Sequence, residues 1–152
     1  MKGVFKDTMN LIKQTGPFCL VASAAMILDT TVEQLHREIG TDGTEIWWPN
    51  HMRGIHIQEI QDCCLRRNKC LYPIEMNPLL APNEFADPKA CLNPIYVTER
   101  LRLSVLDRRA ILITDNHAVA WNGKEVYDPK GFVKSFNDYP YIFKEAWILG
   151  VI

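Results

Sequence analysis

The dipeptide Asn122-Gly123 stands between two alternating runs, His117 to Trp121 and Lys124 to Asp128, and no other short segment constrains the fold as tightly. In that setting it is the strongest local signal for a two-residue β-hairpin turn. The turn pairs Trp121 with Lys124, Val119 with Val126 and His117 with Asp128. A side-chain period of two puts all three pairs on one face, with opposed Cβ atoms roughly 4.5 to 5.5 Å apart. An imidazole and a carboxylate are therefore expected side by side. A slip of one residue would separate them.

Nearly a hundred residues earlier, Gln14-Thr15-Gly16-Pro17-Phe18-Cys19 leads into an Ala- and Met-rich apolar stretch ending at Leu28 that reads as a buried helix. The Gly-Pro turn delivers a thiol to that helix's N-terminus. There, unpaired N–H groups and the positive end of the helix dipole favour thiolate over thiol and can hold an oxyanion. Each part has an ordinary reading: Cys as a small hydrophobe, His as a surface or packed residue, Asp before Pro as a turn former. Taken together, Cys19, His117 and Asp128 are the parts of a thiol nucleophile system. Gln14, five residues before the thiol, can add a side-chain N–H to the Cys19 backbone N–H as a second oxyanion donor. Asp115 and Asn116 are the rivals of Asp128 as the orienting group, but residues adjacent to His117 on a strand point to the opposite face.

These segments resemble the papain-like cysteine peptidases, in particular the bacteriocin leader-processing (double-glycine) group and its relatives. The resemblance rests on Gln14 to Leu28, on Asn116 to Trp121 and on Val126-Tyr127-Asp128-Pro129, and more loosely on Thr31 to Gly40. It implies Cys19 as nucleophile, His117 as general base and acid, Asp128 as orienting residue and Gln14 as oxyanion donor. Two positions depart from the pattern: Leu20 stands where many relatives carry Gly, and the interval from Gln14 to Cys19 is one residue shorter than in papain. The implied fold is α+β and papain-like, with N-terminal helices carrying the Cys packed against a C-terminal antiparallel sheet carrying His and Asp. The implied reaction is cleavage of an amide or isopeptide bond in a peptide or protein. An acyl transferase or deamidase using the same triad, or a non-catalytic binding module of the same fold, remains the alternative.

The rest of the chain is read around that frame. Asp29-Thr30-Thr31 offers an N-cap, with Thr30 and Glu33 in capping-box spacing, and Val32, Leu35, His36 and Ile39 form one stripe before Gly40. Trp47 and Trp48 follow an exposed-looking turn. One of two adjacent tryptophans ordinarily belongs to the core, but beside a nucleophile they can build a peptide-binding wall. Further helices are expected over Ile57 to Leu65 and Val97 to Leu106, an edge strand near Leu71 to Met76 because of Pro73, and strands at Ile111 to Thr114 and Glu145 to Ile152. Tyr72 to Pro94, rich in Pro and Asn, reads as an irregular excursion.

The chain has 152 residues and a formal net charge of −1, which suits one domain, residues 1–152, and leaves no basic footprint for nucleic acid or an anionic membrane. Arg66-Arg67 and Arg108-Arg109 read as solvated helix ends. Five cysteines without regular spacing argue against a disulfide framework, and Cys63, Cys64, Cys70 and Cys91 lack the paired spacing of structural zinc, so neither metal nor other cofactor is expected. With no apolar run of membrane-spanning length and no secretory layout at Met1 to Asp7, the expected location is the cytoplasm. Substrate identity and oligomeric state are not encoded in any motif.

Overall fold

The computed structural model describes residues 8–75 and 94–152, and the middle of the expected excursion, with Cys91, lies outside them. Among the described residues are helices α1 (Cys19–Ile27), α2 (Val32–Ile39), α3 (Ile57–Leu65) and α4 (Pro94–Val105). The strands are β1 (Ile46–Trp47), β2 (His51–Met52), β3 (Lys69–Glu75), β4 (Ala110–Ile113), β5 (Ala118–Trp121), β6 (Glu125–Asp128), β7 (Phe132–Ser135) and β8 (Glu145–Val151). Strands β3 to β8 form an antiparallel sheet in the order β3-β8-β4-β5-β6-β7, and β1 and β2 form a separate hairpin. The class is α+β. Pro73 sits in β3 at a sheet edge, where its missing N–H removes no bond on the open side.

Both faces of the sheet are covered. On one, α1, α2 and α3 bury Val21, Ala24, Ala25, Met26, Leu35 and Ile60 against Leu71, Ile111, Ala118 and Ala120. On the other, Leu101 and Val105 of α4 join Phe136, Tyr139 and Phe143 over Leu112, Val119, Trp121, Val126 and Ile148. The Trp121 indole N–H donates to the Val105 carbonyl at 2.7 Å, which satisfies the one polar atom of that buried ring.

Helix α1 is the element that places the thiol. Ala24 and Ala25 are fully buried, as is Ala120 of β5, with Ala118 nearly so, and side chains this short let the helix lie close to the strand. The Arg109 guanidinium fixes its far end, donating to the Ile27 carbonyl at 3.0 Å and pairing with Asp29 at 2.9 Å. Arg67 likewise makes a two-pronged pair with Glu38, at 2.7 and 2.8 Å, tying α2 to the end of α3. These two arginines thus correct the expectation of solvated helix ends: Arg109 caps a carbonyl of the distant α1, and Arg67 caps the Cys63 carbonyl of its own helix while holding the Glu38 carboxylate of α2.

Two local expectations also shift. The α2 cap is Thr31, whose side chain accepts the Gln34 N–H at 3.1 Å, one residue beyond the expected Thr30. Helix α4 starts at Pro94, a turn before Val97, where a proline suits the first helical position because no N–H is needed there.

Candidate active site

The hairpin that carries the imidazole has a different register from the one Asn-Gly suggests. Trp121 pairs with Val126 and Ala120 with Tyr127, so the turn is centred on Gly123-Lys124. The cause is local. Gly123 takes positive φ (+100°) while Asn122 does not, and the Asn122 Oδ1 instead accepts the N–H groups of Lys124 and Glu125 at 2.9 and 2.7 Å. The pairing therefore moves by two residues. Because the side-chain period is also two, His117 and Asp128 keep a common face as diagonal neighbours, and the His117 Nε2 meets Asp128 Oδ1 at 2.8 Å.

Asp128 is 1 % exposed and fully engaged. Its Oδ1 also accepts the Lys130 N–H at 2.8 Å, closing the turn into β7, so the turn-forming and imidazole-holding roles of this residue coincide. Its Oδ2 accepts the Tyr139 hydroxyl at 2.8 Å. Tyr139 was not legible as a site residue, since it lies in an irregular aromatic segment after β7; the only signal was the density of Phe and Tyr between residues 136 and 143.

Cys19 is the first residue of α1, and its thiol lies close enough to the His117 ring for the two to shift each other's ionisation. With Nε2 committed to Asp128, Nδ1 is the ring nitrogen left for the sulfur. Burial pushes the Cys19 thiol up, but His117 and the backbone N–H groups of Ala118 and Leu20 outweigh it and hold the thiol below its ordinary value. Conversely, His117 is raised, first by its bond to Cys19 and then, against burial, by Asp128. Cys63 and Cys64 go the other way: burial raises both, Cys64 to about 12. Cys19 is thus set apart from these two thiols as the one whose surroundings favour the anion.

Beside the sulfur is a cavity of about 210 Å³ lined by Phe18, Cys19, Leu20, Val21, Asp42, Gly43, Thr44, Met52, Gly54 and Ile55. Gly43 and Gly54 make one wall, joined by a bond from the Gly54 N–H to the Gly43 carbonyl at 2.8 Å. At Gly43 φ is +78°, and a Cβ would lie 2.8 Å from the carbonyl carbon and oxygen of Gly54, so the wall has no room for a side chain at this position.

The other expected site residues are placed as follows. The Gln14 backbone N–H donates to the Pro129 carbonyl at 2.7 Å, next to Asp128, but its side-chain Nε2 donates to the Gly16 carbonyl at 2.9 Å. Gln14 lines a second cavity, of about 160 Å³, with Phe18, Thr31 and Val32, and its buried Oε1 has no hydrogen-bond partner. Trp47 and Trp48 lie on the β1–β2 hairpin at 45 % and 90 % exposure, so neither supplies the core tryptophan that adjacency suggested. Arg53 packs over the Trp47 ring at 5.2 Å and pairs with Glu59 of α3 at 2.7 Å, and Met52 is the hairpin residue that lines the cavity at Cys19. Asp115 is exposed and ion-paired with Lys144, and Asn116 is exposed, so neither stands beside the imidazole.

No family model matches the sequence, and no curated protein does. Among solved structures, the fold is similar to that of a double glycine motif protease from an AMS/PCAT transporter, crystallised in complex with the leader peptide. The TM-score is 0.54 at 16 % identity, over 96 % of this chain and 94 % of that one. No helix among the described residues is long and apolar enough to cross a membrane. The likeness is one of fold: this chain shares the α+β architecture of that protease.

Proposed function

We propose that the protein is a thiol-dependent peptidase that cleaves an amide or isopeptide bond in a peptide or protein through a Cys19 thioester. The observation that carries this reading is the placement of the Cys19 thiol beside the His117 ring, itself hydrogen-bonded to the buried Asp128, at the edge of a cavity. His117 takes the Cys19 proton, giving a thiolate and imidazolium pair, and the sulfur attacks the acyl carbon. The unpaired N–H groups of the first turn of α1, that of Cys19 among them, face the developing oxyanion. His117 then protonates the leaving amine, and water resolves the thioester with His117 as base. Asp128 holds the ring in the tautomer that leaves Nδ1 free for the sulfur. The apolar cavity receives a substrate side chain, and Trp47 and Trp48 flank the peptide farther out. The fold shared with a protease crystallised on a peptide supports the substrate class.

The test is a panel of peptides bearing an electrophilic aldehyde or vinyl sulfone, read by intact mass on the full chain. Covalent capture at Cys19 is expected, lost in Cys19→Ala and strongly slowed in His117→Ala. Gln14→Ala should keep residual turnover, reduced by no more than the roughly 2.7 to 4 kcal/mol that one oxyanion donor is worth. Capture that persists in Cys19→Ala, or equal residual rates in the Gln14 and Cys19 variants, would refute the assignment.

A further inference from the structure

The two oxygens of Asp128 serve different partners. Oδ1 holds the His117 ring and the Lys130 N–H, whereas Oδ2 faces the aromatic cluster on the far side of the sheet and has the Tyr139 hydroxyl as its donor. The Tyr139 ring is itself fixed, stacked on Phe143 at 5.0 Å with a 12° interplanar angle and set edge-on to Tyr141 at 5.8 Å. We propose that Tyr139 is a positioning residue for the Cys19–His117 pair: by donating to Oδ2 it holds the Asp128 carboxylate turned towards the imidazole, and so helps set the pH at which the Cys19 thiolate forms. The proposal rests on the peptidase reading above.

The physical reason is the cost of burying a carboxylate. Donors to the charged form favour ionisation, and apolar surroundings oppose it. Without the phenol, Oδ2 would be left among Phe and Tyr rings with its lone pairs unmet, a penalty that rotation of the carboxyl away from them, and away from the imidazole, relieves. That rotation weakens the charge held against the His117 Nε2. The phenol can fill only the donor role: burial, and then the adjacent Asp128, push its ionisation far above the ordinary range. The titratable groups facing this pair are His117 before β5, Cys19 on α1 and Tyr141 in the same irregular segment, while Lys134 of β7 stands over the neighbouring Phe132 ring at 5.2 Å. A role in packing alone is separable, because phenylalanine retains the ring and its stacking.

The experiment is the rate of Cys19 alkylation by iodoacetamide on the full chain, from about pH 4 to about pH 9, with Cys19→Ala as the blank. Wild type is expected to show an acid midpoint below that of a free thiol. Tyr139→Phe should raise that midpoint by roughly half a unit to one unit. In an Asp128→Asn background the same hydroxyl deletion should move nothing, since the charge it serves is gone. Replacing Tyr139 by 3,5-difluorotyrosine, a stronger donor, should lower the midpoint, which keeps the test open if the Phe variant does not fold. Coincident curves for wild type and Tyr139→Phe overturn the proposal and leave the peptidase reading intact. A shift that persists in the Asp128→Asn background overturns it too, by assigning the effect to packing. A wild-type curve like that of a free thiol removes both, and is seen before any variant is made.

Discussion

Enlarging Ala120 should disable the thiol without touching it. This residue has no exposed surface and lies in the cluster that α1 buries against β5, which also holds Ala24 and Ala25. Ala120→Val adds two methyl groups to a close-packed seam while leaving a residue that strands favour. Overpacking of this kind costs about 1 to 3 kcal/mol, less than the roughly 5 to 15 kcal/mol that holds a domain of this size folded. Dense packing transmits the insertion as a displacement of the helix, on the order of 1 Å, and Cys19 at its first turn moves off the His117 ring. Deprived of that partner, the thiol returns towards an ordinary value of about 8.5, at which only roughly 0.3 % is ionised at about pH 6. Labelling by a small fluorescent electrophile at that pH should therefore fall by up to about a hundredfold. Urea denaturation of the same sample supplies the stability change. A folded Ala120→Val protein that loses stability yet labels at the wild-type rate would refute the idea that these alanines set the sulfur-to-imidazole distance.

Two further predictions concern the cavity and the helix clamp. Gly43→Ala should raise KM for a peptide substrate by roughly tenfold while leaving iodoacetamide labelling of Cys19 near its wild-type rate, because the new Cβ displaces the Gly54 wall and not the sulfur; an unchanged KM would show that the wall does not touch substrate. The Arg67 guanidinium holds the Glu38 carboxyl below its ordinary 4.5, so this pair stabilises the fold above that pH and the contribution is lost as pH falls through the lowered folded value. Melting curves of wild type and Glu38→Gln should accordingly differ by a constant amount, worth about 1 kcal/mol, above about pH 5.5 and converge towards about pH 3; parallel curves throughout would deny the linkage.

The parts of the site that could be read from the sequence are those carried by period and local order. His117 and Asp128 were placed on one face from the alternation of the hairpin strands, and the placement survived a misjudged turn because the true register differs by two residues and not one. The misjudgment itself came from Asn122, whose side chain satisfies the turn's N–H groups and so leaves Gly123 alone to adopt positive φ. The place of Cys19 at the start of a helix was legible because Gly-Pro and an Ala-rich run are both local signals. Tyr139, Arg109 and Arg67 were missed as partners of Asp128, α1 and Glu38, since each acts through a contact that only the folded topology brings together. Trp48 shows the limit of hydrophobicity as a guide: at 90 % exposure, with proline after it on a two-stranded hairpin, it belongs to a projection that has no core to enter.

The central position of β8 in the main sheet carries a consequence for the nascent chain. Residues 145–151 lie between β3 and β4, so translation must pass them before the edge formed by residues 69–75 can join the strand leading to the imidazole. During elongation the sulfur emerges from the ribosome well ahead of both the imidazole and the strand that completes the scaffold. On the proposed peptidase reading, the assembled site is therefore absent from a half-made polypeptide.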